Sequence, residues 1–375
     1  MDLDLTDAQK ALRDQAREIS LREICPQAAE TDGQQRFPRR AVDCLAKLGM
    51  LGVAVPKVWG GMGLDTIASA LMIEELAAAC ASTAAVVSVQ SLLVAEPILR
   101  FGSEAQKRDW LPALGSGARL GCFALTELGG SAVATQARRE GDVFVLAGSK
   151  SFVTCAPVAD VALVFAVTKP GQEKTLSAFL VPTKTAGVSF GPAHSKLGLR
   201  GAVSSSLTFD DVRVPAASLL GSEGAGREVL RFAIDGGRIG AAALCLGIAR
   251  AAFSAATRYA LDRRTNGEAI SEHQAIQFKL ADMSTYIDAA RLLTWRAAAS
   301  RDAGGAVGAH ASMAKLVASE AASRVASDAV QVLGGNGCLV DFAVERHFRD
   351  AKVTEIYEGT SEIQRLGIAS ALLKE

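Results

Sequence analysis

The chain changes its hydrophobic rhythm twice, and this double switch limits its fold more than any single residue does. Up to about residue 118 the pattern is helical. Thr6 and Asp7 can cap a helix running through Arg22, and Phe37-Pro38 opens a second segment carrying Leu45, Leu48, Met50 and Leu51. Pro56 and the three glycines within Val53–Asp65 break that periodicity and predict a loop. Over 119–225 the pattern becomes short β-rich runs divided by turn residues, among them Val143–Leu146, Val161–Val167 and Ser206–Phe209, which reads as a small β domain. Helical spacing then returns: Ile276, Leu280, Met283, Ile287 and Ala290 form one apolar stripe, and the alanine-rich stretch Ala309–Val332 is a candidate partner helix. Helices, then strands, then helices predict an α+β chain whose β domain is inserted between helical domains, with units at 1–118, 119–225 and 226–375.

At 375 residues and 49% apolar content, the chain can bury more than one core. Forty Lys+Arg balance forty Asp+Glu, so no strong net field recruits nucleic acid or an anionic membrane. The acidic, polar opening Met1-Asp-Leu-Asp does not read as a secretory signal, and no apolar stretch reaches membrane-spanning length without a charge or a helix breaker, so no membrane insertion is expected. Seven scattered cysteines without a CxxC pair suit reduced thiols in a cytoplasm. His194, His273, His310 and His347 lack ligand spacing, so no metal site is expected.

The chemistry concentrates in the run Asp350–Arg365, which sets Glu358 between Tyr357 and Gly359. An aromatic neighbour can exclude water and raise a carboxylate pKa, while a following glycine allows a sharp turn and brings its amide close to a ligand. Alone, a Tyr-Glu-Gly would read as a helix end with solvated acids. The sixteen-residue run as a whole resembles the catalytic segment of acyl-CoA dehydrogenases, flavoenzymes that desaturate acyl thioesters between the α and β carbons.

That resemblance covers nearly the whole chain. It implies an N-terminal helical domain, a middle β-barrel, a C-terminal four-helix bundle and a homotetramer built as a dimer of dimers. It implies FAD as cofactor and Glu358 as the catalytic base, with its main-chain amide and a flavin hydroxyl stabilising the enolate-like oxygen. Phe123-Ala-Leu125-Thr126-Glu and Ser151-Phe152-Val-Thr154 resemble the two flavin-contacting segments. There Phe152 would lie against the ring, Thr154 would bond near N5, and Thr126 and Ser131 would meet the pyrimidine edge. For either segment alone, ordinary strand packing explains the residues. Arg263-Arg-Thr265-Asn-Gly and Gln331-Val-Leu-Gly334-Gly335-Asn-Gly resemble segments that hold the pyrophosphate of a neighbouring subunit's FAD. Gln274, Thr360 and Glu362 match further FAD-contact positions. Ser131, Asp235, Arg238, Tyr357 and Gly359 match positions near substrate, although Asp235 and Arg238 also read as a structural ion pair.

Several residues depart from the family pattern. Thr126–Val133 is one residue shorter than the usual loop and lacks its proline and aspartate, and Asn266 replaces a phenylalanine; both changes are expected to weaken FAD contacts. Cys155 replaces a common asparagine and reads as an inert buried thiol. Gly237 stands where some relatives carry the base on another helix, which leaves Glu358 without a rival. Ala84 stands where glutaryl enzymes carry an arginine, disfavouring a dicarboxylate and favouring a short or branched acyl chain. The expected partners are an acyl-CoA and an electron-transfer flavoprotein. The alternatives are an acyl carrier protein thioester, oxygen as acceptor, or a non-catalytic flavin-binding scaffold.

Overall fold

The computed structural model describes residues 4–129, 133–169, 175–305 and 307–373. Seven helices come first: α1 (Asp7–Ile19), α2 (Ala28–Gln34), α3 (Arg39–Lys47), α4 (Thr66–Ala79), α5 (Ala81–Ser88), α6 (Glu96–Phe101) and α7 (Glu104–Gly115). α1 starts on a reciprocal cap: the Gln9 amide donates to the Thr6 hydroxyl, and the Gln9 side chain accepts from the Thr6 amide. Ser20–Ile24 extend it as a π turn. A second π segment, Val89–Ala95, joins α5 to α6, so Ala81–Phe101 forms one continuous buried rod.

The middle of the chain builds a curled seven-stranded sheet from β1 (Gly121–Ala124), β2 (Gln136–Glu140), β3 (Val143–Thr154), β4 (Val161–Lys169), β5 (Thr175–Pro182), β6 (Val188–Phe190) and β7 (Ser204–Pro215). β4 pairs antiparallel with β5 and parallel with β1 and β2, and the sheet continues through β3 and β7 to β6. Two register shifts between β3 and β7, at Leu146/Gly148 and Lys150/Val153, mark where the long strands bend. The second lies beside Phe152.

Helices then resume with α8 (Gly226–Asp262), a short hairpin of β8 (Arg264–Thr265) and β9 (Glu268–Ala269), α9 (Gln274–Asp302), α10 (Gly308–Leu333), α11 (Val344–Thr354) and α12 (Ser361–Leu372). α8, α9 and α10 pack on one another, with α11 and α12 against α10. The predicted stripe faces inward: Met283, Ile287 and Ala290 are buried, with Ile276 and Leu280 half-buried above them. The buried carboxylates Glu74 and Glu75 on α4 bind Arg291 of α9, Arg250 of α8 and Arg17 of α1, which fixes one arrangement of four helices. Ala81–Phe101 and α8 are long and apolar enough to cross a bilayer by composition, yet 94% and 72% of their most apolar windows are buried inside the protein. They are core helices here.

Candidate active site

Glu358 lies in the turn between α11 and α12, and both halves of that turn are backbone exceptions. Glu358 has φ +55° and Gly359 φ +89°. Glycine tolerates this region freely, whereas a glutamate there stores on the order of 1–3 kcal/mol that its surroundings must offset. Those surroundings are specific. The Gln364 side-chain amide donates to the Glu358 carbonyl at 3.0 Å and to the Gly359 carbonyl at 2.9 Å. The Lys315 ammonium, from α10, donates to the same Gly359 carbonyl at 2.7 Å. The Ser361 amide donates to the Glu355 carbonyl at 3.0 Å, and Thr360 caps α12 by accepting from the Ile363 amide. Among the described residues nothing accepts from the Glu358 amide.

The carboxylate points at α8. A Cβ placed on Gly237 would stand 2.5 Å from Glu358 Oε2 and 2.7 Å from Leu93 Cδ2, so only glycine leaves the acid its place. Leu93 comes from the π segment Val89–Ala95, whose Gln90 also accepts from the Gly121 amide at 2.8 Å at the start of β1. One helical rod therefore reaches both the face of Gly237 that the acid occupies and the sheet. Burial raises the Glu358 pKa to about 7, against the opposing pull of the Arg238 and Lys315 cations. Tyr357 packs half-buried on the core, and burial holds its phenol well above its ordinary pKa, so it stays neutral beside the acid. Arg238 lies 3.8 Å from Asp235, its neighbour on α8, and donates to Ser312 of α10 at 3.2 Å. The pair thus braces the bundle while its cation acts on Glu358.

A second group gathers on the sheet. Phe123 and Leu125 are half-buried at the end of β1, and Thr126 is exposed and accepts from the Ser151 amide at 2.7 Å through its carbonyl. Phe152 has φ +57° and is 61% exposed, with His194 beside its ring at 5.2 Å. An aromatic side chain held outward on strained backbone is what the face of a flat heteroaromatic ring would cover. Thr154 ends β3, half-buried. Ser131 lies outside the described residues. Glu127 accepts from the Ala134 and Thr135 amides, from the Thr135 hydroxyl and, at 2.6 Å, from the fully buried Lys150. Lys150 also donates to the Leu125 and Phe165 carbonyls. Cys155 is buried, and burial pushes its thiol up to about 12, as suits an inert side chain.

The third group is open. Arg263, Thr265, Gly334 and Gly335 line a surface cavity of ≈ 400 Å³ together with Tyr259, Ile270, Val332, Leu333 and Asn336. Gln331 and Gln274 are exposed, at the last turn of α10 and the first of α9. Asn266 and Gly267, with φ +53° and +90°, form the two-residue hairpin turn, a job that asparagine and glycine suit. Thr360 ends the catalytic turn and Glu362 lies in the first turn of α12, where the Thr360 hydroxyl lowers the Glu362 pKa.

An isolated half-buried acid, an outward aromatic face and a cationic, glycine-lined cavity suit a flavin dinucleotide and a thioester. The comparisons with known proteins agree. The family descriptions "Acyl-CoA dehydrogenase, N-terminal domain", "middle domain" and "C-terminal domain" match residues 6–118, 122–212 and 224–373. The chain belongs to the acyl-CoA dehydrogenase family. It is 45% identical to the mitochondrial short-chain specific acyl-CoA dehydrogenase of Homo sapiens, covering 99% of this chain and 92% of that one. Butyryl-CoA dehydrogenase from Megasphaera elsdenii superposes with a TM-score of 0.97 at 39% identity over the whole of both chains. A chain in a structure described as an electron transferring flavoprotein of Acidaminococcus fermentans superposes with a TM-score of 0.98, also at 39% identity and full coverage. In this dehydrogenase the turn clamps Lys315 and Gln364, the spacer Leu93 and the Lys150–Glu127 pair escape motif reading. One signal was available: Lys315 falls on the same face as Ala311, Ala318 and Ala322 of an alanine-rich helix, an unusual place for a lysine unless it is bonded.

Proposed function

We propose that this chain catalyses FAD-dependent α,β-dehydrogenation of a short- or branched-chain acyl-CoA, with Glu358 removing the α proton. The observation that carries the reading is the Glu358 carboxyl, raised to about 7, isolated at a clamped turn and given room by Gly237. An α proton next to a thioester is weakly acidic, and a base with a pKa near 7 is better matched to it than an ordinary carboxylate near 4.3. The Glu358 amide is available to a thioester carbonyl, whose oxygen gains negative charge as the proton leaves. Arg238 and Lys315 keep the base from losing all its ionised population in this apolar setting.

FAD, the family's cofactor, supplies when bound the acceptor for the β hydride. Phe152, Thr126 and Thr154, with Phe123 and Leu125 behind them, would hold the ring. Arg263 and the Gly334-Gly335 amides would hold a pyrophosphate, with Thr265, Gln274 and Gln331 at its margin. This outer cradle is open to solvent and shares no lining residue with the catalytic turn, which supports a neighbouring subunit as its client and a homotetramer as the working form. An electron-transfer flavoprotein is the proposed oxidant of the reduced enzyme. Ala84, fully buried, offers no cation to a second carboxylate, which supports a monocarboxylic acyl group.

The test is anaerobic titration of the yellow protein with butyryl-, isobutyryl-, octanoyl-, palmitoyl- and glutaryl-CoA while following flavin absorbance. Bleaching by butyryl- or isobutyryl-CoA, and little by palmitoyl- or glutaryl-CoA, is expected. A flavin that no acyl-CoA bleaches would contradict the reading.

A further inference from the structure

Lys315 is fully buried in α10, and its ion pair with a carboxylate is absent among the described residues. Its hydrogen bond goes to the Gly359 carbonyl, next to the base, and Gln364 already donates to that same oxygen. The two lone pairs of that oxygen take both donors, but a neutral side chain could fill the second place without the cost of burying an ammonium, so the charge needs another explanation. We propose that Lys315 is a positioning residue for the base: it clamps the Glu358–Gly359 turn and places a buried positive charge beside the Glu358 carboxylate that favours its ionised form. The inference rests on Glu358 being the base.

The charged and titratable groups around this pair come from every packed element. Arg238 and Cys245 face it from α8, Glu355, Tyr357 and Glu358 from the segment after α11, and Glu362 from α12. Burial pulls the Lys315 pKa down, while Glu358 and Glu355 favour its charged form. Cys245 is buried and its thiol is pushed up to about 11, so it stays neutral and cannot serve as the counter-ion. Arg238 is the other cation on Glu358, and it is shared with Asp235 and Ser312. Loss of the Lys315 charge therefore leaves the carboxyl with one divided cation, and its pKa rises further.

Two readouts test this on the FAD-loaded enzyme. The first is the pH at which anaerobic flavin reduction by butyryl-CoA reaches half its limiting rate. The second, independent of turnover, is an infrared titration of the protonated Glu358 carboxyl band, assigned by its loss in Glu358→Gln. In Lys315→Met both are expected to move upward by about one unit. Such a move takes the ionised fraction at pH 7 from about one half to about one tenth, a roughly fivefold loss of rate. Lys315→Arg restores the charge and is expected to move both back toward the native position. Gln364→Leu unclamps the same carbonyls without changing charge, and is expected to slow reduction while leaving the titration in place. If Lys315→Met lowers only thermal stability and the carboxyl titrates where it does in the native enzyme, the proposal is overturned. Equal displacement in Lys315→Met and Lys315→Arg also overturns it. Should Lys315→Met not fold, Lys315→Gln against Lys315→Arg makes the same charge comparison: an upward move in Lys315→Gln alone supports the proposal, and no move or an equal one overturns it. A native flavin that butyryl-CoA fails to reduce, or a band that survives Glu358→Gln, would instead defeat the reading of Glu358 as the base.

Discussion

The catalytic turn and the outer cradle are built on opposite principles. The turn from Tyr357 to Thr360 is finished within one chain: its two carbonyls accept from Gln364 and Lys315, both fully buried, and Gly237 on α8 is shaped to its acid. The cradle of Arg263, Thr265, Gly334 and Gly335 is built from exposed residues around an open cavity. A base must be held to a fraction of an ångström because the rate depends steeply on its position. A pyrophosphate site needs mainly charge and exposed amides, and two surfaces meeting can supply these. The difference teaches that buried side-chain clamps are used where a reacting group must be positioned, whereas the cradle keeps its positive-φ turn at Asn266 open to solvent.

Gly237→Ala should separate the two regions most sharply. The atoms nearest the added methyl are the far ends of Glu358 and Leu93, which can swing aside, so the protein should fold and keep its flavin. The acid, however, is displaced, and the rate of flavin reduction should fall ~100-fold for a shift of about 1 Å. Stopped-flow reduction by butyryl-CoA measures it; an unchanged rate would break the claim that this glycine spaces the base. Arg263→Ala should do the converse and by less. FAD affinity, read from flavin retained on dilution, should weaken about tenfold, as suits loss of one charge-assisted contact at an exposed site, with the loaded enzyme reducing at its normal rate. A change in that rate would show that the cradle is not merely an affinity device.

Much of this was legible in the sequence, for identifiable reasons. The three-part architecture follows from the change of period at about residues 119 and 226, because amphipathic stripes such as Met283, Ile287 and Ala290 depend on local spacing. Glu358 was legible because the residues that define its turn are contiguous; Gly237 was legible only as the absence of a rival base, and its place against the Glu358 carboxyl was not, because that contact joins residues 121 positions apart. The clamps were not legible: Lys315 and Gln364 reach the turn from one helix over and from the following helix, and nothing in their own neighbourhoods says which carbonyl they meet. The shortened loop and Asn266 are expected to weaken FAD contacts, and the structure adds what the sequence did not show: Glu127 bonds Lys150 and Thr135, and Asn266 serves a turn with two positive φ values. These features depend on a partner distant in sequence or on a backbone conformation, which residue identity alone does not display.

The central claim is that one carboxylate, Glu358, takes the α proton. The most direct test is rapid mixing of native enzyme and Glu358→Gln, each carrying its full FAD, with butyryl-CoA in the absence of oxygen. The native flavin should bleach at a rate that rises through about pH 7, and Glu358→Gln should bind the thioester yet bleach at least ~1,000-fold more slowly at every pH. Bleaching of Glu358→Gln at a rate near the native one would contradict the account.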